Sequence, residues 1–128
     1  MKVLMDTHAL LWAINGDEKL GKEAVKAFNN PETELFFSMA GYWEICIKIS
    51  LGKLQLADDW VKIIEKEMNL NSIKWLQIQK GHLEALVNLP FHHRDPFDRL
   101  MVAQALCENM TLMTKDNEIG KYAISILW

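Results

Sequence analysis

Short apolar runs alternate along the chain with longer segments in which apolar residues recur at helical spacing. The short runs predict strands at residues 2–5, 34–38, 72–78, 111–114 and 123–127. The periodic segments predict helices at 8–14, 18–29, 39–51, 58–68, 79–88 and 96–108, and a helical turn at 117–122. Strands that alternate with helices in this way are typical of one α/β domain with a mostly parallel sheet.

Capping and turn residues support the helix boundaries. Gly52 is a natural end for the helix at 39–51, and Pro90 stops the helix at 79–88. The clearest local signal is Asp95-Pro96, in which the aspartate is typical of an N-cap and the proline of the first helical position.

The composition indicates a globular protein with no general affinity for nucleic acid. Of the 128 residues, 50% are hydrophobic and 24% are charged, which excludes a disordered chain. The 14 basic and 17 acidic residues give a net charge of −3, so a uniformly basic binding surface is excluded. Nucleic acid as a substrate is still possible, because a local basic rim or a bound metal can hold phosphate.

The chain has neither the cysteines of a disulfide scaffold nor a membrane-spanning segment. The two cysteines, Cys46 and Cys107, lie in apolar helical patterns that predict buried free thiols. Residues 9–14 form the longest apolar run, far short of the roughly 20 residues that a spanning helix needs. The N-terminal residues do not resemble a secretory signal. We therefore expect a cytoplasmic protein.

Acidic residues fall where the predicted strands end and the predicted helices begin. In a parallel sheet those points meet at one edge, so their side chains are expected to converge there. The residues concerned are Asp6, Glu44, Asp95, Asp98 and Asp116. Converging carboxylates repel one another unless some are protonated or a cation neutralises them, and oxygen ligands suit Mg²⁺ or Mn²⁺. Such a site is typical of a metal-dependent phosphodiesterase.

Each of these acids also has a simpler interpretation. Asp6 and Asp116 could end a strand in a turn, and Asp95 reads mainly as a helix cap. Asp98 could favour the helix dipole, and Glu44 stands four residues before Lys48, the spacing of a routine helix ion pair. The five acids taken together are therefore stronger evidence for a metal site than any one of them alone.

Other patterns are weaker. Adjacent residues rarely share one metal, so the pair His92-His93 favours a loop role. Asp6-Thr7 resembles the start of a haloacid-type phosphatase motif, but His8 stands where that motif requires a second aspartate. Most of the five tryptophans are expected in the core, while Trp12 and Trp128 could instead cover an apolar interface.

Four segments of the chain, taken together, form a specific set. They are Met5-Asp-Thr-His-Ala-Leu-Leu-Trp12, Ser38-Met-Ala-Gly-Tyr-Trp-Glu-Ile-Cys-Ile-Lys48, Phe91-His-His-Arg-Asp-Pro-Phe-Asp-Arg-Leu100 and Leu112-Met-Thr-Lys-Asp116. In order and spacing they resemble a PIN-domain ribonuclease of the VapC toxin type over nearly the whole chain. The resemblance implies a single domain over residues 1–128, a three-layer α/β/α sandwich with a central, mostly parallel sheet of four to five strands.

The same resemblance implies an activity and a set of site residues. It implies a Mg²⁺- or Mn²⁺-dependent endoribonuclease, an antitoxin partner that blocks the site, and a homodimer. The family's acidic set falls on Asp6, Glu44, Asp98 and Asp116, of which Asp6 and Asp98 would hold the metal, with Glu44 and Asp116 completing the site. The polar positions that support the metal site in the family fall on Ser38 and Thr114. Asp95 matches the family's Arg-Asp-Pro-Phe-Asp stretch, and we interpret it mainly as a helix N-cap. The fourth acid, here Asp116, varies most among members of the family, so Asn117 or Glu118 could share its role.

Four basic residues are expected near the rim of this site: Lys48, Arg94, Arg99 and Lys115. An acidic site needs such contacts to admit a polyanion, so we expect some of them to hold RNA phosphates. Three alternatives stay open at this point. They are a housekeeping RNA-processing nuclease, a binding module that has lost catalysis, and a phosphatase that acts on small molecules.

Overall fold

Five short parallel strands form the central sheet of the computed structural model, which describes residues 1–128. The strands are β1 (Lys2–Met5), β2 (Glu34–Ser38), β3 (Lys74–Leu76), β4 (Thr111–Met113) and β5 (Ile126–Leu127). Their order is β3-β2-β1-β4-β5, and every neighbouring pair is parallel. The strand order reverses at β1, so a crevice is expected at the carboxyl ends of β1 and its neighbours.

Helices cover both faces of the sheet. They are α1 (Thr7–Asn15), α2 (Lys22–Asn29), α3 (Met39–Ser50), α4 (Trp60–Leu70), α5 (Lys80–Ala85) and α6 (Pro96–Glu108), with 3-10 turns at Leu86–Asn88 and Ile119–Lys121. No helix is both long and apolar enough to cross a bilayer. The α/β/α architecture with a five-stranded sheet confirms the predicted fold class.

The strand β1 divides the core between the two faces. Its alternate residues point to opposite sides of the sheet, so Val3 and Met5 join one buried cluster and Leu4 joins the other. The first cluster includes apolar residues of α1, α2 and α4, and the second is built largely from α6. Because β1 is buried on both faces, it reads in the sequence as a continuous apolar run rather than an alternating one.

The observed elements differ from the predicted ones chiefly at their ends. The strands predicted at 72–78 and 123–127 are only β3 and β5, because each lies at an edge of the sheet with a single partner strand. The helix predicted from residue 18 begins at Lys22, after Gly21 as its N-cap. The helix predicted at 79–88 is α5 followed by a 3-10 turn.

The predicted burial of the two cysteines is wrong. Both Cys46 and Cys107 are exposed. In α3 the buried face takes Ala40, Glu44 and Ile45, and the next residue along the helix faces solvent. Periodicity identified these helices correctly, but an apolar neighbourhood in the sequence did not identify which side of the helix is covered.

A glycine allows α3 to pack closely against the sheet and α1. A Cβ atom on Gly41 would lie 2.6 Å from Cε1 of the buried Phe37 ring and 3.2 Å from Oγ1 of Thr7. The first distance is shorter than a carbon–carbon contact permits. The close approach brings the next turn of α3, which carries Glu44, against the start of α1.

We expect Gly41→Ala to lower the free energy of unfolding by about 1–3 kcal/mol, because the Phe37 ring must shift to admit a methyl group. Urea denaturation followed by circular dichroism measures this change. Gly81→Ala is the matched control, because no atom lies within 4 Å of a Cβ at that helical position. The control should be neutral or stabilising. An equal response of both variants would contradict close packing at Gly41.

Candidate metal centre

Acidic side chains from four elements meet at the carboxyl edge of the sheet. Asp6 directly follows β1, Glu44 lies in the second turn of α3, Asp98 lies in the first turn of α6, and Asp116 follows β4. The negative charges of Glu44 and Asp6 both contribute to the raised pKa of Asp98, so the three carboxylates act on one another at this edge. Asp116 is joined to Asp98 through one histidine side chain. The structure therefore brings together the four acids that the sequence predicted.

Asp6 combines a structural role with burial of its charge. It is the N-cap of α1, and its Oδ1 accepts a hydrogen bond of 2.8 Å from the backbone N–H of Ala9. Its side chain is only 7% exposed. Burial raises the pKa of Asp6, although hydrogen bonds from Thr114 and Ala9 oppose that rise. These hydrogen bonds hold the Asp6 carboxylate in a fixed orientation at the end of β1.

Glu44 is a buried carboxylate with both oxygens occupied. Its Oε1 accepts a hydrogen bond of 2.6 Å from the Thr7 hydroxyl, and its Oε2 lies 2.7 Å from Nζ of Lys48. The hydrogen bond to Glu44 raises the pKa of Lys48 above its ordinary value. The i, i+4 ion pair considered from the sequence is therefore present, and it ties Lys48 to the acidic site.

Asp98 is a partly buried acid whose pKa its surroundings raise strongly. Partial burial, followed by the charges of Asp95 and Glu44, raises its pKa to about 7. Asp95 is the N-cap of α6, as predicted, and its Oδ1 accepts hydrogen bonds from the backbone N–H groups of Phe97 and Asp98. The cap fixes the first turn of the helix and with it the position of the Asp98 side chain.

Asp116 is linked to Asp6 through Thr114. The buried Thr114 hydroxyl accepts a hydrogen bond of 3.1 Å from the Asp116 backbone N–H and also bonds to the Asp6 carboxylate. Oδ2 of Asp116 lies 2.7 Å from Nε2 of His93, and its Oδ1 accepts from the backbone N–H of Glu118. The geometry thus places the predicted supporting residue Thr114 between two acids.

Ser38, the other predicted supporting residue, lies one layer below the carboxylates. Its hydroxyl oxygen accepts from the backbone N–H of Ala40 at the start of α3 and donates to Oε1 of Gln104 in α6. The bond therefore joins the two helices that carry Glu44 and Asp98. Asn117 and Glu118, the alternatives for the fourth acid, are exposed, and Glu118 pairs with Lys121.

The basic residues near the site do not all lie at its rim. Arg94 and Lys115 are exposed, and Nζ of Lys115 lies 5.9 Å from the centroid of a Trp12 ring. The placement of Arg99 at the rim is wrong. Its side chain is buried and donates to the backbone carbonyls of Leu89 and Pro90, because those carbonyls have no partner in a helix or strand.

The donor set suits a hard divalent cation. All four acids offer carboxylate oxygens, the ligands that Mg²⁺ and Mn²⁺ prefer. The raised pKa values of Asp6 and Asp98 indicate carboxylates whose charge the protein alone does not fully neutralise. Lys48 offsets only the charge of Glu44, with which it forms an ion pair. A cation held between Asp6 and Asp98 would relieve the remaining repulsion, so the residues present fit such a metal.

Sequence reasoning missed Thr7 and Gln104 of this region and assigned His93 to a loop role. Thr7 binds Glu44, His93 lies between Asp98 and Asp116, and Gln104 joins the two helices below the site. The position of Thr7 directly after Asp6 was a usable signal. The contacts of His93 with Asp116 and of Gln104 with Ser38 had no local signal, because those partners are more than 20 residues away in the chain.

Comparison with known proteins points to one family. The family described as PIN domain matches residues 3–125 of this chain. No curated protein sequence gives a significant match.

Solved structures with the same fold include three complexes. VapBC2 from Rickettsia felis, bound to a promoter DNA fragment, has a TM-score of 0.67 and 13% identity, covering 99% of this chain and 98% of that one. VapBC-1 from nontypeable Haemophilus influenzae has a TM-score of 0.67 and 18% identity, with coverage of 99% and 97%. A toxin–antitoxin complex from Klebsiella pneumoniae has a TM-score of 0.62 and 17% identity, with coverage of 98% and 96%. At these identities the likeness establishes the fold.

We expect the metal-free protein to become less stable as the pH rises from about 4 to 7, where the pKa of Asp98 lies. The folded state of Asp98 binds a proton that the unfolded state has already released in this range, so folding weakens as that proton is lost. Asp98→Asn removes the charge and should stabilise the metal-free protein by about 1–3 kcal/mol at pH 8. The difference in free energy of unfolding between Asp98→Asn and the wild type should become smaller toward pH 4. Urea denaturation at both pH values, in a chelator, measures the difference.

The matched control is Asp58→Asn, which changes an exposed aspartate of the same chain. Its effect on the free energy of unfolding should be small at both pH values. A pH-independent effect of Asp98→Asn would contradict the raised pKa. Saturating Mg²⁺ at pH 8 should reverse the order of stability, because only the wild-type protein retains the ligand charge.

Proposed function

The chain belongs to the PIN-domain family, and from that premise we propose that it is a metal-dependent endoribonuclease, the toxin of a toxin–antitoxin pair. One observation carries the proposal: four carboxylates from four separate elements converge at the end of the central strand. A structural protein has no need to gather repelling charges there. The family match over residues 3–125 includes all four of these acids and supports the proposal.

Asp6 and Asp98 are the proposed metal ligands, with Glu44 and Asp116 completing the acidic site. A bound Mg²⁺ or Mn²⁺ supplies a nucleophilic water at neutral pH and offsets the charge that develops on the phosphate. The Asp6 carboxylate is held in an orientation set by the helix cap. Glu44, already neutralised in part by Lys48, orients water at the side of the site rather than adding an uncompensated charge.

An RNA substrate is supported by the surface around the acids. Arg94 and Lys115 are exposed cations that stand close in the chain to Asp98 and Asp116, and such cations can hold backbone phosphates. The half-exposed ring of Trp43 packs edge-on against the ring of Phe97, with 5.0 Å between the ring centroids. Trp43 precedes Glu44 in the chain, and Phe97 precedes Asp98. Unstacked bases of single-stranded RNA bind such aromatic faces. A phosphatase for small molecules needs neither an extended cationic rim nor an aromatic platform.

The proposed partners follow from the complexes that share the fold. The similar structures from Rickettsia felis and Haemophilus influenzae are VapBC complexes, and the one from Klebsiella pneumoniae is a toxin–antitoxin complex. We therefore propose a cognate antitoxin, a homodimer and a cytoplasmic location for this chain. Trp12 packs against Trp128, so the apolar side chains left for such contacts are others, namely Leu51, Leu70, Val87 and Phe91.

We expect Asp6→Asn to lower metal-dependent cleavage of total RNA by at least about 100-fold, because the variant keeps the shape of the site and loses a ligand charge. The assay compares both proteins with Mg²⁺, with Mn²⁺ and with chelator, and sequencing of the cut ends identifies the target. Asp58→Asn should cleave like the wild type. Cleavage that persists in Asp6→Asn, or in chelator, would contradict the proposal. It would indicate a contaminating nuclease or a binding module.

We expect Arg94→Ala to weaken binding of the target RNA by about 3–10-fold near 0.1 M salt, because one phosphate contact is lost. Binding is measured in the Asp6→Asn background, so that the RNA stays intact. The slope of log Kd against log salt should fall by about 0.7 for single-stranded RNA.

Lys80→Ala, at the start of α5, is the control for charge alone. It should leave the affinity and the salt slope unchanged. If both lysine and arginine variants respond equally, Arg94 acts only through net charge. Arg99→Ala is unsuitable as a binding variant, because loss of its buried hydrogen bonds should destabilise the fold.

A further inference from the structure

One histidine lies among the site carboxylates and has no part in the proposed reaction. Nε2 of His93 is 2.7 Å from Oδ2 of Asp116 and 3.4 Å from Oδ2 of Asp98. The three groups are close enough to share one ion. The histidine could therefore be either a nitrogen ligand of the metal or a hydrogen-bond donor to its carboxylate ligands, and the two roles require different protonation of the ring.

The other ring nitrogen decides between these roles. Nδ1 of His93 accepts a hydrogen bond of 3.0 Å from the backbone N–H of Asp95. A nitrogen that accepts carries no proton, so the neutral ring bears its proton on Nε2. Nε2 then has no free lone pair for a metal. It donates to Oδ2 of Asp116, and Oδ2 of Asp98 lies 3.4 Å from the same nitrogen.

A buried network holds the histidine in this orientation. The backbone N–H of His93 donates to the hydroxyl of Tyr122 at 3.1 Å, and Nη1 of Arg99 donates to the same hydroxyl at 3.2 Å. Arg99 also binds the carbonyls of Leu89 and Pro90, which fixes the loop that leads to His93. Both Arg99 and Tyr122 are buried. Arg99, which the sequence placed among the RNA-binding residues, thus holds the His93 loop from inside the protein.

We propose that His93 is a positioning residue whose Nε2–H holds the Asp116 carboxylate beside Asp98, and that it is not itself a metal ligand. The inference rests on the metal site of the proposed function. Asp116 belongs to a loop after β4 and is partly exposed, so its carboxylate needs an anchor. The same N–H group lies near the second carboxylate, with Nε2 3.4 Å from Oδ2 of Asp98, and its positive end reduces the repulsion between the two acids. Hydrogen bonds of this kind to the ligands of a metal typically change its affinity by 10–100-fold.

The test is Mn²⁺ binding, followed through the electron paramagnetic resonance signal of free Mn²⁺ and therefore independent of catalysis. His93→Ala should raise the Kd for Mn²⁺ by about 10-fold or more. His93→Gln should stay within about 3-fold of the wild type, because the glutamine amide places an N–H donor near the position of Nε2. His92→Ala is the matched control at the neighbouring histidine and should bind like the wild type. Circular dichroism checks that each variant is folded.

Pulsed electron paramagnetic resonance of the bound Mn²⁺ provides the second readout. A nitrogen ligand adds ¹⁴N modulation to the signal, and we expect none from His93. Modulation in the wild type that disappears in His93→Gln would make His93 a ligand and overturn the inference. An unchanged Kd in His93→Ala would overturn it too. Failure of the wild type to bind Mn²⁺ would refute the metal site of the proposed function and this inference with it.

Discussion

Repulsion among carboxylates at the end of the central strand is the constraint on which the rest of this structure depends. Asp6 and Glu44 are almost fully buried. Burial of Asp98, followed by the charges of Asp95, Glu44 and, least, Asp6, raises its pKa to about 7. Burial strengthens such repulsion because less water screens it. A fold that keeps these groups together must compensate with fixed hydrogen bonds, with a cation, or with both.

The compensating hydrogen bonds are distributed over both faces of the sheet. Thr7 and Lys48 occupy the oxygens of Glu44, while Thr114 joins Asp6 to the backbone of Asp116. Each partner comes from a different element, so the site assembles only when the sheet order is complete. Close packing of α3 at Gly41 serves the same end, since it brings Glu44 within 2.6 Å of the Thr7 hydroxyl. Keeping these carboxylates together therefore costs stability at this edge, as is common at functional sites.

Much of the fold follows from local patterns. The five strands, the six helices and the parallel topology were predictable because each strand is a short apolar run and each helix has its own period and caps. The boundaries of β3 and β5 were not, because an edge strand ends where its single neighbour ends. The exposure of Cys46 and Cys107 was also beyond reach, since it depends on which side of each helix another element covers.

The sequence by itself determined which acids could meet, because the residues that follow parallel strands and begin the next helices must lie at one edge. Only the tertiary structure decided what surrounds them. Arg99, a surface cation by its sequence, turns inward because the carbonyls of Leu89 and Pro90 need donors. His93, a loop residue by its sequence, meets Asp116 because a loop 23 residues away folds back beside it. Contacts between distant segments leave no local pattern, so hydrogen-bond partners of this kind emerge only in three dimensions.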